Sequence, residues 1–177
     1  MLSISCSPFP RHAVLTRRND LPSAMGATNP MGGTSFSDQE VFDAFPDVHL
    51  TYDNIEHFRG LLQHRLVFNR CAECGFWIYP LRPMCPQCWS RQVHATEVSG
   101  DGVLYYQTTL YEGRHIPGFE YPHLTGGVEL TEQKGLRYLA PIVGVTGEEV
   151  VEDTPVQLVW LDTTAGPVAG FTPRAGE

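Results

Sequence analysis

Cys71-Ala72-Glu73-Cys74-Gly75 and, after ten residues between Cys74 and Cys85, Cys85-Pro86-Gln87-Cys88 form the stretch that decides how this chain folds. Each Cys-x-x-Cys turn can aim two sulfurs at one point while its backbone N–H groups donate to the thiolates. Two such turns complete a tetrahedron. Four soft, anionic donors with no open position suit Zn(II) and leave no place for a catalytic water, so the expected metal is structural and its expected ligands are Cys71, Cys74, Cys85 and Cys88. Short strands on either side, at 66–70 and 76–79, would make the segment a zinc ribbon.

Disulfides are the first competing reading, but the paired x-x spacing is more specific to metal and no secretory signal is visible. Iron is the second. The patterns Cys-x-x-Cys-Gly-x-x-Ile-Tyr and Cys-Pro-x-Cys resemble the two knuckles of rubredoxin, although rubredoxins space them much farther apart; Fe therefore stays as the alternative metal. Trp89 departs from the usual knuckle, where Gly often follows the second pair to supply a positive φ. A bulky side chain there would be strained, so an adjusted second turn is expected, with Trp89 packing, covering the metal or reaching a partner. Cys6 stands apart and reads as an incidental thiol.

Upstream of the ribbon, Phe36-Ser37-Asp38-Gln39-Glu40-Val41 reads as a capping box from Ser37 to Glu40 with Phe36 and Val41 as a staple, opening a short helix that ends near Pro46. A second helix starts at Asp53, has Glu56 three residues later, carries Ile55, Phe58, Leu61 and Leu62 at helical spacing, and runs to about Gln63. His57 and His64 read as surface residues, since nothing with metal-ligand spacing accompanies them. Residues 1–35, rich in Ser, Pro, Gly and Asn, read as a flexible tail or as the product of an upstream start.

Downstream, β-branched and aromatic runs separated by turn residues predict strands at about 95–98, 102–111, 124–130, 138–143, 156–161 and 168–171. Short strands in this number are compatible with a small closed barrel of OB type. The expected fold is mainly β, with a flexible tail over 1–35, a helical arm over 36–65, a rubredoxin-like zinc ribbon over 66–94 and an OB-like five-stranded barrel over 95–177.

Charge excludes some functions. The 177-residue chain carries a formal charge of −8, and from Ser99 onward eleven acidic residues face four Lys and Arg. Such a surface repels phosphates, so nucleic acid is a poor default partner even though Tyr105, Tyr106 and Tyr111 lie on one predicted strand, where a bulge would be needed to bring all three to one face. No apolar run is long enough to cross a bilayer, and a cytoplasmic location is expected. No nucleophile elbow, Walker loop, dinucleotide fingerprint or HExxH motif is present, so no catalytic residue is assigned.

The order of helical arm, ribbon and barrel, with Arg70 to Gly75, Arg82-Pro83-Met84-Cys85-Pro86-Gln87-Cys88, Val98-Ser99-Gly100-Asp101-Gly102 and Pro117-Gly118-Phe119-Glu120, resembles the zinc-ribbon OB-fold proteins associated with thiolases and acyl-CoA metabolism. The resemblance spans about residues 50–173 and excludes the tail. It implies an accessory subunit forming a hetero-oligomer with a thiolase-like enzyme, an acyltransferase or an aldolase shortening steroid side chains, with acyl-CoA at or near the interface. The loop 112–123, with Arg114, His115, Phe119, Tyr121 and His123, is then a candidate partner or substrate-channel surface. A stand-alone acyl-CoA binder, using Arg82, Arg91 and Arg114 as cations, and an OB-fold single-strand nucleic-acid binder are the alternatives.

Overall fold

Ser37 opens the first helix of the computed structural model, which describes residues 35–113, 120–163 and 166–174. The expected capping box is present: the Glu40 N–H donates to Ser37 Oγ at 3.4 Å and the Ser37 N–H donates to Glu40 Oε2 at 2.7 Å. The Ser37 N–H and hydroxyl hold the Glu40 carboxyl below its ordinary pKa, as an anion at a helix start should be. Helix α1 (Asp38–Ala44) buries Val41 and is tied down by Arg59, whose Nε donates to Phe36 O at 2.8 Å and whose guanidinium also pairs with Asp38 and Glu56. Helix α2 (Ile55–Leu62) begins one residue later than a cap at Asp53 would place it. Asn54 is the N-cap residue, and its Oδ1 accepts from the Thr51 N–H at 2.7 Å, stabilising the turn before the helix instead of the helix itself.

Helix α2 buries His57, Gly60 and Leu61, which share one face at i, i+3 and i+4. Gly60 permits the close approach: a Cβ there would lie 2.7 Å from Arg65 O and 2.8 Å from Val67 Cγ2. The expectation that His57 is a surface residue is overturned. The ring is 6 % exposed, its Nδ1–H donates to Val67 O at 2.7 Å, and it stacks on Phe68 at 5.6 Å between centroids while Phe58 and Tyr138 meet it edge-on. The physical reason is that one hydrogen bond satisfies the neutral imidazole and an aromatic box takes up the rest. His64 is exposed, as expected, with Nε2 2.8 Å from Asp162 Oδ1.

Desolvation lowers the His57 pKa from its ordinary 6.5, with the Val67 carbonyl opposing it. The unfolded chain therefore takes up a proton first as pH falls. His57's contribution to stability is complete above pH 6.5 and is lost progressively below it, towards the depressed folded pKa. Denaturant midpoints measured from pH 7.5 to 5 should fall with pH in the wild type. The slope should be shallower in His57→Phe; equal slopes would place the titrating group elsewhere.

Strands β1 (Val67–Cys71), β2 (Trp77–Ile78) and β3 (Val93–Glu97) form an antiparallel sheet in the order β2-β1-β3. Strands β4 (Asp101–Leu110), β5 (His123–Leu130), β6 (Arg137–Pro141), β7 (Pro155–Thr163) and β8 (Gly166–Pro173) form a second sheet in the order β6-β5-β4-β7-β8. Its two ends meet through a parallel bridge between Ile142 and Phe171, reinforced by the Val143 N–H donating to Phe171 O at 2.8 Å. Antiparallel neighbours with one parallel bridge give a nearly closed, OB-like barrel of the kind the strand spacing predicts, which leaves little open sheet edge where β6 meets β8. A bulge between Leu104 and Tyr106 lets Tyr105 and Tyr106 both stand exposed, with Tyr111 exposed further along. Gly127 makes room for the second ring, since a Cβ there would come 2.2 Å from Tyr106.

Ribbon and barrel share one core. Leu61, Leu66, Phe68 and Trp77 belong to the same buried cluster as Val98, Leu104, Val128, Val156 and Phe171. Gln133, on the turn after β5, finishes the joint: its Oε1 accepts from the Trp77 N–H at 2.9 Å and its Nε2 donates to Trp77 O at 3.2 Å, so its amide pairs with β2 as a neighbouring strand would. Among the described residues no helix is long and apolar enough to cross a membrane.

Candidate metal centre

Strand β1 delivers Cys71 at its end, and the chain turns there because the Cys71 N–H donates to Phe76 O at 2.9 Å and the Gly75 N–H donates back to Cys71 O at 3.0 Å. Gly75 takes a φ of 75°, the left-handed conformation that costs glycine little. The second knuckle repeats the pattern: the Cys85 N–H donates to Ser90 O at 2.9 Å and the Trp89 N–H to Cys85 O at 3.0 Å. Here the expectation of an adjusted turn fails. Trp89 keeps a φ of 62°, because the hydrogen bonds that close the knuckle require that backbone whatever side chain stands there.

The two knuckles bring Cys71 Sγ to 3.5 Å from Cys88 Sγ and Cys74 Sγ to 3.6 Å from Cys85 Sγ, and all four sulfurs lie within 4.8 Å of one another. These separations are those of free thiols, and no disulfide joins them. A tetrahedron with metal–sulfur bonds of about 2.3 Å has sulfur–sulfur edges of about 3.8 Å, so the cluster is the size a ZnS4 centre needs. Cys71 and Cys85 are buried, whereas Cys74 and Cys88 face solvent.

The acidities show why these sulfurs call for a cation. The backbone N–H of Cys74, the largest influence, helps bring the Cys71 thiol down to about 7. The Ser90 N–H favours the Cys88 thiolate, yet burial and the three neighbouring sulfurs outweigh it and push that thiol up to about 12. Cys74 is raised as well: the Phe76 N–H lowers it, but desolvation and the sulfurs of Cys85 and Cys71 prevail. Four thiolates this close cannot coexist without a positive charge between them, and a divalent ion supplies it.

The other residues singled out by sequence are distributed differently. Arg114, His115 and Phe119 lie outside the described residues. Tyr121 and His123 are brought together, with ring centroids 4.8 Å apart, where His123 opens β5 and its Nδ1 sits 3.3 Å from Glu120 O. Tyr121 also lies over Gly113, where a Cβ would meet its hydroxyl at 2.7 Å. Arg82 and Arg91 are exposed on the ribbon. The aromatic joint of His57, Phe68, Tyr79 and Tyr138 had no place among the expected sites. Burial raises the pKa of both tyrosine hydroxyls, keeping them neutral.

Comparison with known proteins agrees with this architecture. Residues 58–94 match the family described as ChsH2, rubredoxin-like zinc ribbon domain, and residues 95–161 match ChsH2, C-terminal OB-fold domain. A DUF35 domain-containing scaffold protein of Pyrococcus furiosus is 37% identical over 106 residues, covering 58% of this chain and 72% of that protein. A probable enoyl-CoA hydratase alpha subunit of Thermomonospora curvata is 35% identical over 117 residues, covering 66% of this chain but only 36% of the subunit's length. Among solved structures, a chain of the Ltp2-ChsH2(DUF35) aldolase superposes with a TM-score of 0.64 at 32% identity, covering 71% of this chain and 98% of that one. With its ribbon and barrel both matched and in the same order, the chain belongs to the ChsH2 (DUF35) family.

Proposed function

We propose that this chain is a zinc-binding accessory subunit that assembles with a thiolase-like enzyme, an aldolase or acyltransferase, acting on acyl-CoA thioesters. The observation that carries the reading is its likeness, over nearly the full length of the matched chain, to a component of an aldolase named for two proteins. The scaffold name of the Pyrococcus relative points the same way. Cys71, Cys74, Cys85 and Cys88 hold Zn(II), with Fe as the alternative metal, and the ion's contribution is to neutralise four thiolates and fix the ribbon. The partner supplies the nucleophile. Tyr121 and His123, together with the loop residues Arg114, His115 and Phe119, are the proposed contact or channel surface, with the acyl-CoA at or near it.

Affinity purification of the full chain from its native cells, followed by mass spectrometry and metal analysis, tests this reading. A stoichiometric thiolase-like protein with about one zinc per chain, the content a single tetrathiolate site holds, is the expected result. Recovery of the zinc-bound chain alone would instead favour an independent CoA-binding role.

A further inference from the structure

Trp89 is 72% exposed and holds a φ of 62°. Either property alone is unremarkable for one residue type or another, but together they conflict with a structural role. A bulky side chain in the left-handed region is strained, and such a residue persists in a fold when something over-determines it. Packing within the chain does not, because most of the indole faces solvent. Glycine would satisfy the same knuckle hydrogen bonds without strain. The benefit of a tryptophan at this position must therefore lie outside the folded chain.

Its surroundings fit a contact surface. Pro83, Met84, Pro86 and Gln87 are exposed on the same knuckle, and the hydrogen bond from the Cys85 N–H to Ser90 O brings the two ends of the turn together. Between residues 66 and 94 the chain has three arginines, Arg70, Arg82 and Arg91, against one acid, Glu73. Arg70 is engaged locally, with Nε donating to Gly75 O and its guanidinium 5.1 Å from the Trp77 ring. Arg82 and Arg91 have no ion pair among the described residues and are exposed on either side of the second knuckle. An exposed Trp flanked by Arg has the composition of an interface hot spot.

We infer that the Cys85–Cys88 knuckle docks on the catalytic subunit of the proposed complex, with Trp89 inserted into an apolar pocket rimmed by carboxylates that receive Arg82 and Arg91. This inference rests on the accessory-subunit reading and adds to it a surface separate from the loop 112–123. Charge complementarity sets the kind of partner. Two unpaired cations on a chain of net charge −8 are too few to neutralise a nucleic-acid backbone. A second copy of this chain would have to bind knuckle to acidic barrel, a head-to-tail contact that leaves one knuckle unfilled unless a ring closes.

Trp89→Gly tests the assignment, because it relieves the backbone strain while removing the anchor. The full-length wild type, Trp89→Gly and Arg91→Glu are purified in parallel from the native cells. Binding of each is then titrated against the purified thiolase-like enzyme that co-purifies with the wild type. Trp89→Gly is expected to keep wild-type metal content and a melting temperature at or above that of the wild type while binding roughly thirtyfold more weakly, the loss typical of a hot-spot aromatic. Arg91→Glu should weaken binding as well, and added salt should weaken the wild type towards it. Unchanged affinity in Trp89→Gly overturns the inference and leaves the accessory role standing. A wild type that brings down no thiolase-like enzyme overturns both. A lower melting temperature or metal content in Trp89→Gly assigns Trp89 to the ribbon's own stability and overturns the docking role. Concentration-dependent self-association of the isolated chain, or oligonucleotide binding, that Trp89→Gly abolishes would transfer the surface to those occupants and equally overturn it.

Discussion

Cys85→Ser is expected to abolish metal binding and to lower the melting temperature of the whole chain, not of the ribbon alone. Cys85 is fully buried and its sulfur lies 3.6 Å from that of Cys74, so a hydroxyl in its place offers the metal a poorer donor from the most enclosed corner of the site. Structural zinc contributes about 10–16 kcal/mol of binding-linked folding free energy in zinc-finger peptides, comparable to the entire stability of an ordinary domain at about 5–15 kcal/mol. Even a modest fraction of that would be decisive here. The effect should spread because Leu66, Phe68 and Trp77, which the knuckles hold in register, are packed in the core of the barrel. Metal analysis and thermal melts of wild type, chelated wild type and Cys85→Ser provide the check. The last two should converge, and chelator should do nothing further to the variant. A variant with wild-type metal content and melting temperature would show that the four sulfurs are not a ligand set.

The strands were largely legible in the sequence because each is a short β-branched or aromatic run bounded by turn residues. The capping box was legible for a related reason: Ser37 and Glu40 interact within one turn, so the whole device is local. The convergence of the cysteines follows from two local turns plus one strand pairing, β1 with β3, which sets Val93, just beyond the second knuckle, opposite Cys71. The mainly β content follows in the same way, whereas the barrel's closure depends on the non-sequential β4–β7 pairing and on the parallel Ile142–Phe171 bridge, and the strand pattern was only compatible with it.

What escaped was non-local or depended on which interaction prevailed. His57 was misread because its hydrogen-bond acceptor, Val67 O, and three of its aromatic neighbours, Phe68, Tyr79 and Tyr138, come from other elements. A signal did exist, since His57 shares a helical face with Leu61 and with Gly60, whose missing side chain marks a close approach. Gln133 could not be anticipated: a glutamine on a polar turn gives no sign that its amide will pair with β2. Trp89 was misjudged in the opposite direction. Residue preference argued for a changed backbone, but the two hydrogen bonds of the knuckle held the backbone and left the side chain to bear the strain.

Phe68→Ala should have the other large effect, and its form would reveal how the parts of the fold are coupled. Phe68 is 0% exposed, and its ring contacts those of His57, Tyr79 and Tyr138 at centroid separations of 5.6, 4.7 and 5.4 Å. Truncation leaves a cavity where α2, the ribbon and β6 meet, and buried Phe→Ala changes cost about 3–5 kcal/mol. For a chain of this size that corresponds to a fall of roughly 6–20 °C in melting temperature. Phe42→Ala is the matched control: Phe42 is 46% exposed, and its loss should change stability by no more than about 0.5 kcal/mol. Since Phe68 lies in one continuous core with Val128, Val156 and Phe171, tryptophan fluorescence and far-UV circular dichroism should report a single transition that shifts as a unit. Two separated transitions, with only the earlier one moved by Phe68→Ala, would mean that the ribbon unfolds independently of the barrel. The shared core would then be a contact between two bodies, and metal loss would disable the ribbon while leaving the barrel folded.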